Sequence, residues 1–256
     1  MRDDFTHWGD SPPKVSCQCI TFGRLELLEE SVESFLRQDY PGEKELVILN
    51  DAPNIKIYFN HDEVVVVNCD KRFDTVGGKR HESIVLSSGR IMIPWDDDDI
   101  MLPWRISVAI EEMKNKEYFK PAHLWWWNGG LKEIQKSCAH GLAAYSKTIY
   151  SKVGGYGGIQ SGQDIDFEAR IRSTGLRDAR EIDLEKTSYI YRWGTNDYHL
   201  SGKGFNNQEF YKELGERISK LGTIERELKP NWKQDYVAMT DAKLLDMGIE
   251  REKGER

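Results

Sequence analysis

Four consecutive carboxylates, Asp96, Asp97, Asp98 and Asp99, follow the apolar run Ile91-Met92-Ile93-Pro94-Trp95 and precede Ile100-Met101-Leu102-Pro103. A solvated acidic stretch belongs in polar, turn-rich sequence, whereas this one is framed by apolar residues on both sides and is expected at the end of a buried strand. Carboxylate oxygens gathered there are hard ligands suited to Mg²⁺ or Mn²⁺, ions that keep open positions for water and the phosphates of a nucleotide. A calcium loop does not fit. An EF-hand begun at Asp96 would put Met101 where Gly is needed and Ser107 where Glu is needed.

The surrounding sequence switches repeatedly between strand and helix periods, the pattern of an α/β sandwich. Lys14 to Thr21 reads as the first strand. Leu25, Leu28, Val32, Phe35 and Leu36 recur at helical spacing, and Tyr40-Pro41-Gly42 breaks the chain before a second strand, Glu45 to Asn50. Val64 to Val67 is a third strand, Gly78 to Ser88 a helix closed by Gly89, and Arg90 to Trp95 the strand that delivers the acidic run. Beyond Pro103 the pattern predicts a helix to about Lys114, an aromatic strand around Leu124 to Trp127, a Gly-rich loop from Gly154 to Gly162 and a helix starting near Asp164. Ligands of open parallel sheets bind at the carboxyl ends of strands. Thr21, Asp51 and the acidic run all fall at such ends, so three distant segments are expected to converge on one crevice.

The chain has 256 residues, with 43 acidic against 36 basic side chains and a formal charge of -7. That balance gives no electrostatic reason to expect nonspecific binding to nucleic acid or anionic membrane. No stretch approaches the roughly 18 apolar residues of a spanning helix, and Met1-Arg2-Asp3-Asp4-Phe5 lacks a basic segment followed by an apolar one. A soluble, cytoplasmic protein is expected. Cys17 and Cys19 alternate within one strand and Cys69 and Cys138 are scattered, which predicts buried reduced thiols rather than a zinc site.

These motifs, taken in order, resemble the family 2 glycosyltransferases. Thr21-Phe22-Gly23 and Asn50-Asp51 stand where that family ends its first two strands; Lys79-Arg80-His81 stands at its helical basic pair. Asp96 to Pro103 matches its Asp-x-Asp-Asp segment with Pro four residues after the last Asp, and Gly154-Gly155-Tyr156 with Gln163-Asp164 matches its later Gly-Gly-aromatic and acidic motifs. The sequence departs from the pattern at Gly23, Asn50, His81 and Gln163. The resemblance spans roughly residues 14 to 200. It implies a GT-A fold, a single Rossmann-like α/β/α sandwich with a mostly parallel sheet, over residues 14–222. Residues 14–103 would be its nucleotide-binding half and 104–222 its acceptor half, with an N-terminal extension over 1–13 and a charged helical tail over 223–256.

The resemblance also assigns roles. Asp98 and Asp96 would be the metal pair, with Asp96 also reaching ribose or metal-bound water; a register shifted to Asp97 and Asp99 is the alternative. Thr21 and Asp51 would frame base and ribose, since a carboxylate accepts the N3 hydrogen of uracil and a hydroxyl bonds a base carbonyl. Lys79, Arg80 and Asp97 complete the expected donor set. Asp164 would be the base that takes the acceptor proton, with Asp166 in reserve and a helix N-cap as its ordinary structural role. His199, in Tyr198-His199-Leu200-Ser201-Gly202-Lys203-Gly204, would add a third metal ligand from a lid, His140 being a weaker alternative. Asp99 and Trp127 are expected near the acceptor, although strand alternation sends Trp126 to the face opposite its neighbours, and core packing is the commoner fate of such residues.

The expected reaction is metal-dependent transfer of a sugar from a nucleotide donor, UDP-linked by preference, to an acceptor hydroxyl with inversion. The acceptor class stays open among a glycan, a lipid-linked saccharide, a small molecule, a protein and a modified nucleobase. The competing readings are a sugar-phosphate nucleotidyltransferase, for which Thr21-Phe22-Gly23-Arg24 makes a poor phosphate loop, and a non-catalytic saccharide-binding domain.

Overall fold

Val15–Thr21 (β1) and Lys44–Asn50 (β2), the latter built on the continuous apolar run Leu46 to Leu49, are largely buried strands that pair in parallel, in register from Val15 opposite Lys44 to Thr21 opposite Asn50. Between them Leu25–Leu36 (α1) buries Leu28, Val32 and Phe35. The computed structural model describes residues 11–113, 116–137, 139–176, 180–193 and 208–251. Ile55–Tyr58 (β3) leads into Val64–Asn68 (β4), which pairs parallel with β2. Val76–Val85 (α2) follows, capped by Thr75, whose hydroxyl accepts from the Gly78 amide at 3.0 Å. The helix therefore starts before the expected Gly78. Gly89 does not close it; a side chain there would strike Ser16, so this glycine permits a close approach to β1.

Ile91–Pro94 (β5) pairs parallel with β1, with Pro94 opposite Gln18. It thus ends beside the middle of β1, and the chain that follows runs past Thr21. Next come Ile100–Met101 (β6), Arg105–Met113 (α3), Tyr118–Phe119 (β7), His123–Trp127 (β8), Leu131–Lys136 (β9) and Ala144–Ser146 (β10). Lys147–Lys152 (α4), Gln163–Arg172 (α5), Tyr189–Arg192 (β11), Gln208–Ser219 (α6), Ile224–Glu227 (β12) and Tyr236–Asp246 (α7) complete the described elements. The main sheet has the order β4-β2-β1-β5-β10-β7, with only β10 running against its neighbours. A second sheet, β6-β11-β8-β9, packs beside it, and β12 pairs parallel with β3. The fold is the mixed α/β sandwich with a mostly parallel central sheet that the sequence predicts.

The charged segment after 222 differs from the expected surface helix. It contributes β12, and its Trp232, Tyr236 and Leu244 are buried against Ile100, Trp125 and Ile190 of the second sheet. Cys17 and Cys19 lie in the main core, where burial pushes both thiols up, and Cys69 is likewise a free thiol; Cys138 lies outside the described residues. No helix among the described residues is long and apolar enough to cross a membrane.

Candidate active site

The parallel register brings the ends of β1, β2 and β5 together, and α2 supplies the groups that bind them. Lys79 is buried, and its ammonium donates to the Thr21 carbonyl at 2.6 Å and to Asp51 Oδ1 at 2.5 Å. Asp51 Oδ2 accepts from the Phe73 amide at 3.0 Å. This pair ties β1, β2 and the loop after β4 into one unit. Burial lowers the Lys79 pKa despite Asp51, so the ion pair is held together by geometry rather than by solvent. Thr21 is buried beside Asp97.

One helical step along, Arg80 reaches Asp96 Oδ1 at 3.2 Å. Asp96 Oδ2 meets the Tyr189 hydroxyl at 2.9 Å, and the same hydroxyl lies 2.6 Å from Asp99 Oδ2. Gly141 makes this possible, because a methyl there would overlap both the Tyr189 hydroxyl and Asp96. Asp99 Oδ1 accepts from the Arg192 amide at 2.6 Å, while Arg192 Nε donates to the Asp98 carbonyl and Nη1 to Glu30, each at 2.6 Å. Arg24, at the start of α1, grips both Asp97 oxygens and donates to Asp98 Oδ2 at 2.6 Å. Asp97 and Asp99, each about 1% exposed, are thereby partners of Arg24 and of β11. Their oxygens are turned into the protein, whereas Asp96 is half-buried and faces Arg80.

The electrostatics are unbalanced. Among the described residues, Asp51, Glu30 and the four carboxyl groups of the run adjoin Arg24, Lys79, Arg80 and Arg192, six acidic groups beside four basic ones. Burial, followed by the charges of Asp98 and Asp96, pushes Asp99 well above the usual carboxylate range. Burial also raises Asp97 against the pull of Arg24. Burial would weaken the protonation of Arg24 and Arg80, but the adjoining carboxylates override it and both rise.

Asp164 is the second residue of α5, not its cap; Gly162, with φ +76°, holds that position. Acidic residues in the first turn, Asp164 and Asp166, suit the positive end of the helix. Asp164 is half-buried, its Oδ1 accepts from the Ile165 amide at 2.9 Å, and its charge is felt at Arg80. Asp166 instead pairs with Arg170, whose guanidinium also binds the Gly155 carbonyl and steadies the Gly-rich loop. Gly77 packs α2 onto that loop so closely that a methyl would overlap the Gly157 carbonyl. Four residues after Asp164, Glu168 takes the Lys120 ammonium at 2.6 Å and His140 Nδ1 at 2.7 Å, and His140 Nε2 meets the Tyr156 hydroxyl at 2.6 Å. Both ring nitrogens of His140 are therefore engaged in a buried relay that anchors α5, which removes it as a metal ligand.

His199 lies outside the described residues. Trp127 packs under α7, its ring 5.9 Å from Tyr236 in the core beneath the second sheet. Trp127 is half-buried there, while Trp126, on the opposite face, shares the side of the sheet that carries Tyr189. Arg24, Glu30, Tyr189 and Arg192 were not anticipated. Arg192 had a legible signal, a charge closing the apolar strand Tyr189-Ile190-Tyr191. Among the described residues no group of three or more His, Cys, Asp or Glu side chains is already arranged around a common metal position.

Residues 17–124 match the family described as Glycosyl transferase family 2. No match is found among curated proteins. Among solved structures the chain is similar to the mannosyltransferase PcManGT from Pyrobaculum calidifontis in complex with GDP-Man and Mn²⁺, at 14% identity and TM-score 0.55, covering 81% of this chain and 69% of that one. It is also similar to S. aureus TarS 1-349 in complex with UDP-GlcNAc, at 14% identity and TM-score 0.61, covering 94% and 74%. Against a longer S. aureus TarS structure it covers 80% of this chain but only 39% of that one, at 13% identity and TM-score 0.57. At such identities the shared property is the fold.

Proposed function

We propose that this chain, a glycosyltransferase of family 2 with the GT-A fold, moves a sugar from a nucleotide-sugar donor to an acceptor hydroxyl at the crevice where β1, β2 and β5 end. The observation that carries the proposal is the acidic run, delivered by β5 between Arg80 and Tyr189, where acidic groups outnumber the adjoining basic ones among the described residues. A divalent cation suits that deficit, and hard oxygen donors suit Mn²⁺ or Mg²⁺. Asp98 and Asp96 are the residues that would hold it. When bound, such an ion supplies positive charge to the diphosphate leaving group.

The protein's own groups divide the remaining work. Arg80, half-buried on α2 beside Asp96, stands where its guanidinium can meet a phosphate or ribose oxygen. The Lys79–Asp51 pair fixes the strand ends rather than contacting the donor, because both partners are buried and bonded to each other. UDP-sugars, which the sequence favours, and GDP-sugars are both donors to test. Asp164 is the general base: the acceptor oxygen bonds to the anomeric carbon, the bond to the diphosphate oxygen breaks, and the acceptor proton passes to the Asp164 carboxylate. A single displacement of this kind inverts the anomeric centre.

The test is calorimetric binding of UDP and GDP with and without Mn²⁺, using wild type and Asp98→Ala. Binding that depends on the metal in wild type and is lost in the variant supports the assignment. Metal-independent binding that survives Asp98→Ala overturns it.

A further inference from the structure

The transfer chemistry leaves unused an aromatic surface that continues from Tyr189. Side chains alternate along a strand, so Tyr189, Tyr191 and Trp193 lie on one side of β11 and its extension, and Ile190 and Arg192 on the other. Packing agrees with this division. Tyr189 and Leu124 belong to the main core with Trp126 and Tyr191 packed against it, whereas Ile190, Trp125 and Trp127 belong to the core under α7. Tyr191 is in register with Trp126 on β8.

The three rings are neighbours. Trp126 lies 5.5 Å from Tyr191 at 33° and 5.7 Å from Trp193 at 26°, and Tyr191 lies 6.2 Å from Trp193 at 36°. These shallow angles give the rings a shared orientation, and each ring is half-buried. The aromatic cluster beneath α5 differs in burial: Tyr145, Phe167, Tyr150 and Tyr156 are buried, and although Tyr145 and Tyr150 stack at 18°, the contacts among Phe167, Tyr156 and these two rings lie at 47° to 67°. The first cluster has the geometry of a platform, the second that of core. The platform is continuous with the reaction centre, since the Tyr189 hydroxyl ends on Asp96 and Asp99. At about 3.3 Å per residue, Tyr191 and Trp193 stand roughly 7 and 13 Å further along the strand.

We propose that Trp126, Tyr191 and Trp193 form the acceptor subsite and that the acceptor is a carbohydrate. The proposal rests on the glycosyl-transfer reading and adds to it the substrate class. A pyranose ring offers an apolar C–H face with hydroxyls at its edge, which suits half-exposed aromatic rings of common orientation. A nucleic-acid acceptor would also require cationic surface for its phosphates, and this chain carries a net charge of -7.

Tryptophan fluorescence is titrated with chitotetraose, cellotetraose, mannotetraose and maltotetraose, and in parallel with a single-stranded oligonucleotide and a Ser/Thr-rich peptide. The proteins are wild type, Trp126→Leu and Tyr191→Leu, each also assayed for Mn²⁺-dependent nucleotide binding as a check on folding and on the donor site. The expected result is saturable binding of a tetrasaccharide by wild type, weakened roughly 3- to 10-fold in each variant, with nucleotide binding unchanged. Saccharide binding equal in the variants, binding of none of the four saccharides, or preference for the oligonucleotide or peptide would overturn the proposal. Loss of nucleotide binding from wild type would instead count against the donor site, whatever the platform does.

Discussion

Arg24 Nη1 stands 2.6 Å from Asp98 Oδ2, so a guanidinium already occupies one of the two carboxylates through which a divalent cation would be held. The other arm of Arg24 holds Asp97, which is about 1% exposed. Removing the guanidinium leaves that carboxylate buried without a counter-charge, a change that costs about 3 kcal/mol. Arg24→Met is expected to melt lower than wild type, and Mn²⁺ is expected to raise the melting temperature of the variant by more than that of wild type. Thermal unfolding with and without the ion checks this; equal metal responses would show that Arg24 and the ion do not share the site.

Glu168 carries the pH dependence. Burial alone would raise its pKa, but hydrogen bonding and charge from His140 and Lys120 bring it below the ordinary 4.5. A depressed carboxylate stabilises the fold above its unfolded pKa, and that stabilisation is lost as pH falls through the lower folded value. Glu168→Gln should therefore be less stable than wild type by about 3 kcal/mol at pH 7, because the buried Lys120 ammonium loses the Glu168 carboxylate. Denaturant titrations should show the difference shrinking as pH falls below 4.5, when wild type loses the charge too. A difference that holds constant from pH 7 to pH 3.5 would contradict the assignment.

Gly77 joins two halves of the site. Its amide donates to the Ile159 carbonyl at 3.1 Å, and a methyl in its place would press on the Gly157 carbonyl. Gly77→Ala should cost about 1–3 kcal/mol by overpacking and should lower turnover at saturating donor, because Arg80 and Asp164 are related through this contact. Stability and kcat measured on the same preparation test the coupling; an alanine variant as stable and active as wild type would refute it.

What was legible in the sequence follows from periodicity. The strands β1, β2 and β5 are short, largely buried runs, the edge strand β4 is a run of four valines, and the acidic run announces itself by composition. The two-residue strands β6 and β7 carry no period, and β12, with the pattern Ile-Glu-Arg-Glu, reads as a surface helix until β3 is there to pair with it. The partners of the acidic run were hidden for a related reason. Arg24 and Tyr189 lie 74 and 90 residues from the groups they bind, with nothing local to mark them as partners, and Arg192, 94 residues from Asp98, shows only as a charge closing an apolar strand. The face of Trp127 depended on which side of the second sheet receives α7, a tertiary fact that alternation alone leaves open.

Asp164 separates chemistry from binding. Asp164→Asn keeps the shape and the first-turn position while removing the proton acceptor, so turnover is expected to fall about 10²- to 10⁴-fold with the nucleotide dissociation constant unchanged. Single-turnover transfer and nucleotide titration on the variant test this; undiminished transfer would move the base elsewhere.

The central claim, that the acidic run at the end of β5 is a glycosyl-transfer site, is tested most directly by nucleotide release from UDP-, GDP-, TDP- and CMP-sugars with and without Mn²⁺ or Mg²⁺, comparing wild type with Asp98→Ala. Metal-dependent release from one donor by wild type, lost in Asp98→Ala, is the predicted result. Release that is indifferent to the metal and to Asp98, or no release from any donor even with the saccharide bound at Trp126 and Tyr191, would contradict it.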